Sequence, residues 1–155
     1  MFRGRCPGQT RGMRIPAALA RERFLAASVA RLATADASGV PHLVPVTFAC
    51  VRDDADVLVF AVDHKPKTTT RLRRLANIAA NPAVCFLVDE YDDDWSRLWW
   101  VRADARAEVL DGTGRKAALA ALAGKYPPYR DRMPSGPVVG ATVARWSGWV
   151  AQHLR

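Results

Sequence analysis

The chain has 155 residues, half of them hydrophobic, and its formal net charge at pH 7 is +8. This length predicts a single domain with its own core, and it is short for a two-domain enzyme. Residues 1–12 contain three arginines and no acidic residue, so the rest of the chain is only moderately basic. Basic residues recur at 65–74, whereas 89–94 is acidic, and this uneven pattern disfavours a general nucleic-acid-binding surface.

The N-terminus and the cysteines bear on domain organisation and compartment. Residues 1–12 show no periodicity, which predicts either a disordered basic tail or a natural start at Met13, ahead of one domain at 13–155. No apolar run is long enough for a membrane span or a signal peptide. The three cysteines are far apart and lack zinc-ligand spacing, which predicts reduced thiols, no disulfide and no bound metal. We therefore expect a cytoplasmic protein.

The N-terminal part of the chain predicts a helix followed by a hairpin. The predicted elements are a helix at 16–29, a strand at 31–35, a turn at 36–39 and a second strand at 40–50. Pro16 suits the first turn of the helix. Pro41 and Pro45 have the same parity, so their missing N–H groups lie on one side of the strand, as is tolerated at a sheet edge. The second strand is therefore expected to border a cleft.

A third strand that runs into a basic helix is the most informative stretch. Residues 57–62 are apolar at both parities, as in a strand covered on both faces, and a helical period follows until Asn81-Pro82. The junction adds cations and a hydroxyl to the partial positive charge of a helix N-terminus. These groups belong to Lys65, Lys67, Thr68 and Arg71. The pattern predicts a site for phosphate or another anion, and a solvated basic helix face is the alternative interpretation.

The C-terminal part predicts three more strands and one more helix. They are strands at 83–88, 98–110 and 138–150, a helix at 112–124 and a loop at 126–137. Residues 98–110 alternate clearly, with small and apolar side chains on one face and charged ones on the other. Trp146 and Trp149 are three positions apart, which predicts opposite faces. The pattern as a whole favours a mainly β fold with peripheral helices, as a six-stranded antiparallel barrel that is closed or split.

Motifs for most enzyme classes are absent from this sequence. It contains no GxSxG, no GxGxxG and no Walker loop, and the acidic run at 89–94 lacks EF-hand spacing. No catalytic acid, base or nucleophile can be named. A small barrel with one anion-binding turn and five tryptophans suits a flat, phosphate-bearing cofactor whose own ring does the chemistry. For Trp99, a core or interface position is a simpler interpretation than ring stacking.

Several stretches are similar to a known family. Four of them are residues 31–36 (RLATAD), 39–46 (GVPHLVPV), 65–68 (KPKT) and 81–84 (NPAV). Over about residues 16–150 the chain resembles the pyridoxamine 5′-phosphate oxidase-like, FMN-binding split-barrel superfamily. Residues 91–102 (YDDDWSRLWWVR) and 145–149 (RWSGW) resemble an actinobacterial branch of oxidoreductases that depend on deazaflavin (coenzyme F420). Pyridoxamine phosphate oxidases carry an Arg-Leu-His-Asp-Arg-like element near the C-terminus, which residues 145–149 do not match.

The resemblance implies a homodimer with two cofactor sites in clefts between the subunits. By position, it assigns the cofactor phosphate or tail to Lys65, Lys67 and Thr68, alongside the Arg71 of the basic helix. It places the backbone of Val46, Thr47, Phe48, Val62 and Asp63 beside the ring. Trp99 and Trp149 are expected to reach the cofactor from the second subunit.

Four functions remain open on the sequence. The first is a reductase that passes hydride from reduced deazaflavin to a small electron-poor substrate. The others are an FMN-dependent oxidoreductase with the same cleft, a flavin or deazaflavin carrier without turnover, and a nucleic-acid-binding module. The last requires binding that weakens steeply with salt.

Overall fold

The computed structural model describes residues 12–62 and 72–151. Its strands are β1 Gly12–Arg14, β2 Ala30–Ala35, β3 Pro41–Val46, β4 Ala49–Arg52, β5 Asp56–Ala61, β6 Ala83–Glu90, β7 Trp99–Leu110 and β8 Val138–Ala151. Its α-helices are α1 Ala17–Ala26, α2 Arg73–Ala80, α3 Gly112–Lys125 and α4 Pro127–Asp131, and a 3₁₀ turn spans Trp95–Arg97. Within the described ranges, no helix is both long and apolar enough to cross a membrane.

The strands form one antiparallel sheet in the order β3-β2-β6-β7-β8-β5-β4, with β1 also paired to β8. The long β7–β8 ladder contains a bulge, because Asp104 pairs with Arg145 whereas Ala105 pairs with Val143. Ala144 is the extra residue. Beyond this bulge, Trp146 packs on the core, with its ring 5.2 Å from that of Phe24, while Trp149 lines a cleft elsewhere. The predicted opposite orientation of the two tryptophans is confirmed.

The core lies on both sides of β5. Leu58 and Phe60 point into the larger cluster, which contains the rings of α1 and β6, while Val59 and Ala61 point into a smaller cluster beneath α3. All four side chains are buried, which confirms the prediction of a strand covered on both faces. The end of β5 is thereby held in place from two directions.

The structure differs from the sequence-based expectations in several element boundaries. The described residues form eight strands where six were predicted, because residues 40–50 form two strands separated by Thr47 and Phe48, and because β1 adds a short edge strand. The helix predicted at 16–29 ends at Ala26, and the loop predicted at 126–137 contains α4. The basic helix is described only from Arg73 onward; the predicted anion junction, residues 63–71, lies outside the described residues.

Candidate functional site

A small cavity lies where the β3–β4 break, the end of β5 and the start of α2 meet. Its volume is about 220 Å³. The lining residues are Val29, Pro45, Val46, Thr47, Ala61 and Arg74. The structure thus brings Val46 and Thr47, which the family resemblance assigned to the cofactor ring, close to Ala61 at the end of β5.

Two tyrosines hold the β3–β4 break in place. The Tyr126 hydroxyl accepts a hydrogen bond from Phe48 N at 2.9 Å and lies 2.7 Å from Phe48 O. The Tyr129 hydroxyl lies 2.8 Å from Thr47 Oγ1. Burial raises the pKa of Tyr126, which keeps its hydroxyl protonated and able to donate. The backbone of Phe48 is therefore hydrogen-bonded to Tyr126. Of the two residues in the β3–β4 break, Thr47 lines the cavity and Phe48 is buried in the core.

Lys125 supports the same region from below. Its ammonium lies 3.7 Å from the centre of the buried Phe48 ring and donates to Ala27 O at 2.7 Å. A cation at the last carbonyls of a helix is favourable, and Ala27 is the C-cap of α1. Burial lowers the pKa of Lys125. Sequence reasoning missed this lysine and both tyrosines, because their contacts join residues about 80 to 100 positions apart along the chain.

The end of β5 is fixed by the loop that precedes β8. Val62 N donates to Pro137 O at 2.9 Å, and the Val62 side chain is buried. Gly136 packs so closely that a Cβ atom on it would lie 2.5 Å from Val62 O. Val62 is thus placed immediately beside the cavity residue Ala61. The other residues that sequence reasoning assigned to this site lie outside the described residues and remain predictions: Asp63, Lys65, Lys67, Thr68 and Arg71.

The start of α2 supplies the positive charge of the cavity. Leu72 is the N-cap and makes no side-chain cap bond, and the first turn contains no acidic residue. Arg74 lines the cavity, whereas its neighbour Arg73 is exposed. The helix is anchored to the sheet by the buried Asn77, whose amide donates to Thr34 Oγ1 at 3.0 Å. Because the partial positive charge of a helix N-terminus adds to that of Arg74, this end of the cavity favours an anion.

Trp99 and Trp149 line a different cleft in the same chain. This aromatic cleft has a volume of about 400 Å³. It is lined by Leu87, Asp89, Glu90, Tyr91, Leu98, Trp99, Trp100 and Trp149. Trp99 Nε1 donates to Glu90 Oε2 at 3.0 Å, and the guanidinium of Arg23 lies 5.3 Å from the centre of the Trp99 ring. The two cavities have no described residue in common, so within one chain Trp99 and Trp149 line a different cavity from Val46 and Thr47.

Metal and thiol chemistry find little support in the described part of the chain. No group of three or more His, Cys, Asp or Glu side chains is placed there to hold a metal ion. Burial raises the pKa of the Cys50 thiol, and it raises that of Cys85 to about 11. Both thiols therefore stay protonated at neutral pH and are poor nucleophiles.

Comparison with known proteins gives a family and several similar structures. A family model described as pyridoxamine 5′-phosphate oxidase matches residues 17–150. A FAD-binding protein from Mesorhizobium loti is 24% identical with a TM-score of 0.66, and the alignment covers 92% of this chain and 98% of that one. A protein of unknown function from Corynebacterium diphtheriae is 21% identical with a TM-score of 0.68, covering 90% and 98%.

A heme-binding protein from Mycobacterium smegmatis is 23% identical with a TM-score of 0.66; the match covers 90% of this chain and 55% of that one. A search of curated proteins found no match. At these identities the structures establish the fold alone. They confirm the predicted class, a mainly β split barrel with peripheral helices.

Proposed function

We propose that this chain, which belongs to the pyridoxamine 5′-phosphate oxidase family, is an oxidoreductase that uses deazaflavin (coenzyme F420) as its cofactor. In this proposal the protein holds reduced deazaflavin in the cavity between β3–β4 and α2 and passes hydride to a small electron-poor substrate. The protein works as a homodimer, with one cofactor in each of two clefts between the subunits.

The polar chemistry of the cavity is the observation that carries the proposal. Among the described residues, its polar side chains are the Thr47 hydroxyl and the Arg74 guanidinium. A hydroxyl and a cationic donor suit an anionic, ring-bearing cofactor. The volume of about 220 Å³ is below the roughly 300–1,000 Å³ of typical ligand pockets. A cofactor therefore needs further walls, which we assign to residues 63–71 and to the second subunit.

The residues of this chain have binding and positioning roles in the proposal. Arg74 and Thr47 hold polar edges of the cofactor, while Lys65, Lys67, Thr68 and Arg71 hold its phosphate or tail. The backbone at Val46, Val62 and Asp63 flanks the ring, and Phe48 fixes the position of Thr47. Trp99 and Trp149 of the second subunit cover the ring. When bound, reduced deazaflavin supplies the hydride, and the protein contributes orientation and exclusion of water.

The choice of deazaflavin rests on two sequence stretches. Residues 91–102 and 145–149 are similar to the deazaflavin-dependent branch, and they contain the three tryptophans that line the aromatic cleft. Arg145 occupies the first position of the stretch that corresponds to the Arg-Leu-His-Asp-Arg-like element of pyridoxamine phosphate oxidases. Its guanidinium forms an ion pair with Asp104 at 2.7 Å. This pairing argues against vitamin B6 oxidation.

An FMN-dependent oxidoreductase is the second candidate. The family name and the similarity of the fold to a FAD-binding protein favour it. It would use the same cavity, so the two candidates differ in cofactor preference and share the site residues.

Paired substitutions at the start of α2 and in the basic segment test the site. Arg74→Met is expected to raise the cofactor dissociation constant about tenfold or more, because a hydrogen bond to a charged group contributes roughly 1.5–3 kcal/mol. Arg73→Met removes the same charge one residue away at an exposed position and serves as the matched control. The double variant Lys65→Ala/Lys67→Ala should weaken binding with its fold intact by circular dichroism. Equal affinities in Arg74→Met and Arg73→Met would contradict the cavity as the site.

Turnover separates an enzyme from a cofactor carrier. Bound reduced cofactor is mixed with a series of electron-poor acceptors, and its oxidation is followed by absorbance in a single turnover. Oxidation that is faster than for free cofactor supports a reductase. Rates equal to those of free cofactor with every acceptor would favour the carrier.

A further inference from the structure

Arg115 of α3 has an unusual position for its charge. It is in the first turn of the helix, where its N–H donates to the carbonyl of the N-cap Asp111 at 3.0 Å. A cation at this end of a helix faces the positive end of the helix dipole, and the acidic residue nearest to it in the helix is the N-cap Asp111, outside the first turn. The Arg115 side chain makes a further contact away from the helix.

The guanidinium of Arg115 is directed to the loop before β8. It donates to Gly136 O at 2.8 Å and lies 3.4 Å from Ser135 O. The contact to Gly136 is partly buried, which strengthens a hydrogen bond from a charged donor. Arg115 thus connects α3 to a loop segment that has no regular secondary structure.

The same loop segment determines where β5 ends. Pro137 O accepts from Val62 N at 2.9 Å, and Gly136 approaches the Val62 carbonyl more closely than any residue with a Cβ could. Val62 follows directly on Ala61, which lines the cavity. A chain of contacts therefore leads from Arg115 through Gly136 and Pro137 to Val62.

We propose that Arg115 is a positioning residue for the cofactor site. By holding the carbonyls of Ser135 and Gly136, it fixes this loop against Val62 and so holds the end of β5 next to the cavity residue Ala61. This inference rests on the proposed function, because it gives Arg115 a role in cofactor binding without any contact to the cofactor.

Amide hydrogen exchange at Val62 tests whether Arg115 fixes the loop against Val62, whichever cofactor the protein uses. Arg115→Met is expected to speed exchange at Val62 roughly fivefold, the effect of losing about one hydrogen bond. Exchange at Val59, inside the same strand, should stay unchanged. Lys116→Met removes a neighbouring exposed charge on α3 and is the matched control. Equal exchange at Val62 in the two variants overturns the proposal.

Cofactor titration tests whether this contact of Arg115 supports cofactor binding. Arg115→Met should raise the dissociation constant at least about fivefold, as expected for coupling between distant groups, and Lys116→Met should not. Arg115→Lys keeps one charged donor and should restore part of the affinity. Gly136→Ala forces its new methyl group against Val62 and should weaken binding directly.

Amide exchange and cofactor affinity together distinguish a failure of the Arg115 proposal from a failure of the proposed function. Faster exchange at Val62 with unchanged cofactor affinity in Arg115→Met overturns the positioning role. A wild-type protein that binds neither deazaflavin nor FMN overturns the proposed function itself, and it removes the cofactor role of Arg115 with it.

Discussion

At the scale of single residues, Asp56 connects three elements. Its carboxylate accepts two hydrogen bonds from Arg21 of α1, at 2.7 and 2.8 Å, and one from Trp146 Nε1 of β8 at 3.1 Å. The hydrogen bond from Arg21 holds the pKa of Asp56 below its usual range, although partial burial acts in the opposite direction. Asp56 begins β5, so this ion pair fixes the near end of the strand whose far end reaches the cavity.

Asp56→Asn is expected to lower the free energy of unfolding by about 1–3 kcal/mol, because it leaves partly buried donors without their charged acceptor. The exposed Asp54→Asn should stay within about 0.5 kcal/mol of the wild type. Urea denaturation at several pH values measures both.

The contribution of Asp56 to the free energy of unfolding depends on pH in a definite direction. Because the pKa of Asp56 is lower in the folded state, its contribution is present above the unfolded pKa of about 3.9 and is lost as the pH falls through the folded pKa. The difference between wild type and Asp56→Asn should therefore shrink in acid. A difference that grows below pH 4 would contradict this account.

At the scale of elements, α1 is held by one ring and by contacts at its C-terminal end. The Phe24 side chain is fully buried, with ring centres 4.9 Å from Phe48 and 5.2 Å from Trp146. Lys125 donates to carbonyls at the C-terminal end of the helix. The helix ends at Ala26, three residues before its predicted end. We infer that Phe24 makes the main packing contact between α1 and the sheet.

Phe24→Ala should lower the free energy of unfolding by about 3–5 kcal/mol, as is typical when a large aromatic side chain leaves a core cavity. Leu19→Ala on the same helix is the control, because Leu19 is 37% exposed, and its effect should be much smaller. Thermal or urea unfolding measures the pair. Similar losses in both variants would show that Phe24 does not dock the helix.

The elements also show what the sequence could predict. The burial of β5 and the alternation of β7 as far as Ala107 follow the predicted patterns. Both could be predicted because the polarity of successive residues in a strand indicates which of its faces are buried. The break between β3 and β4 and the short strand β1 were missed, because both depend on distant partners, namely Tyr126 and β8.

The sequence indicated part of the candidate site. The family resemblance assigned Val46 and Thr47 to the cofactor; both line the cavity, and their role stays a prediction. Arg74, Tyr129 and Arg115 were not named in advance. A local pattern can indicate a strand end and a basic helix start. It does not show which residue of the helix faces a cavity or which loop carbonyl an arginine reaches.

At the scale of the whole molecule, one face of the sheet carries apolar side chains. Leu43 of β3, Leu87 of β6 and Trp100 of β7 are half-buried or exposed on this outer face. Two ion pairs lie on the same face, Arg31–Asp89 at 2.9 Å and Arg145–Asp104 at 2.7 Å. An apolar patch bordered by polar groups is typical of an interface, and we propose that it is where a second copy docks.

Leu87→Asp is expected to convert a dimer into a monomer, because it places a charge in the apolar patch. It should also weaken cofactor binding, because in the proposed assembly the second subunit supplies Trp99 and Trp149. Val109→Asp, at a side chain 55% exposed elsewhere in β7, is the control and should remain dimeric. Light scattering after gel filtration measures the mass, and a monomeric wild type would contradict the proposed assembly.

The proposed function requires this split barrel to bind deazaflavin in preference to FMN. A fluorescence titration of the purified, cofactor-free wild-type protein with each cofactor in turn measures this preference, with Lys67→Ala as the control for the basic segment. We expect tighter binding of deazaflavin, weakened in Lys67→Ala. Tighter binding of FMN, or binding of neither cofactor, would contradict it.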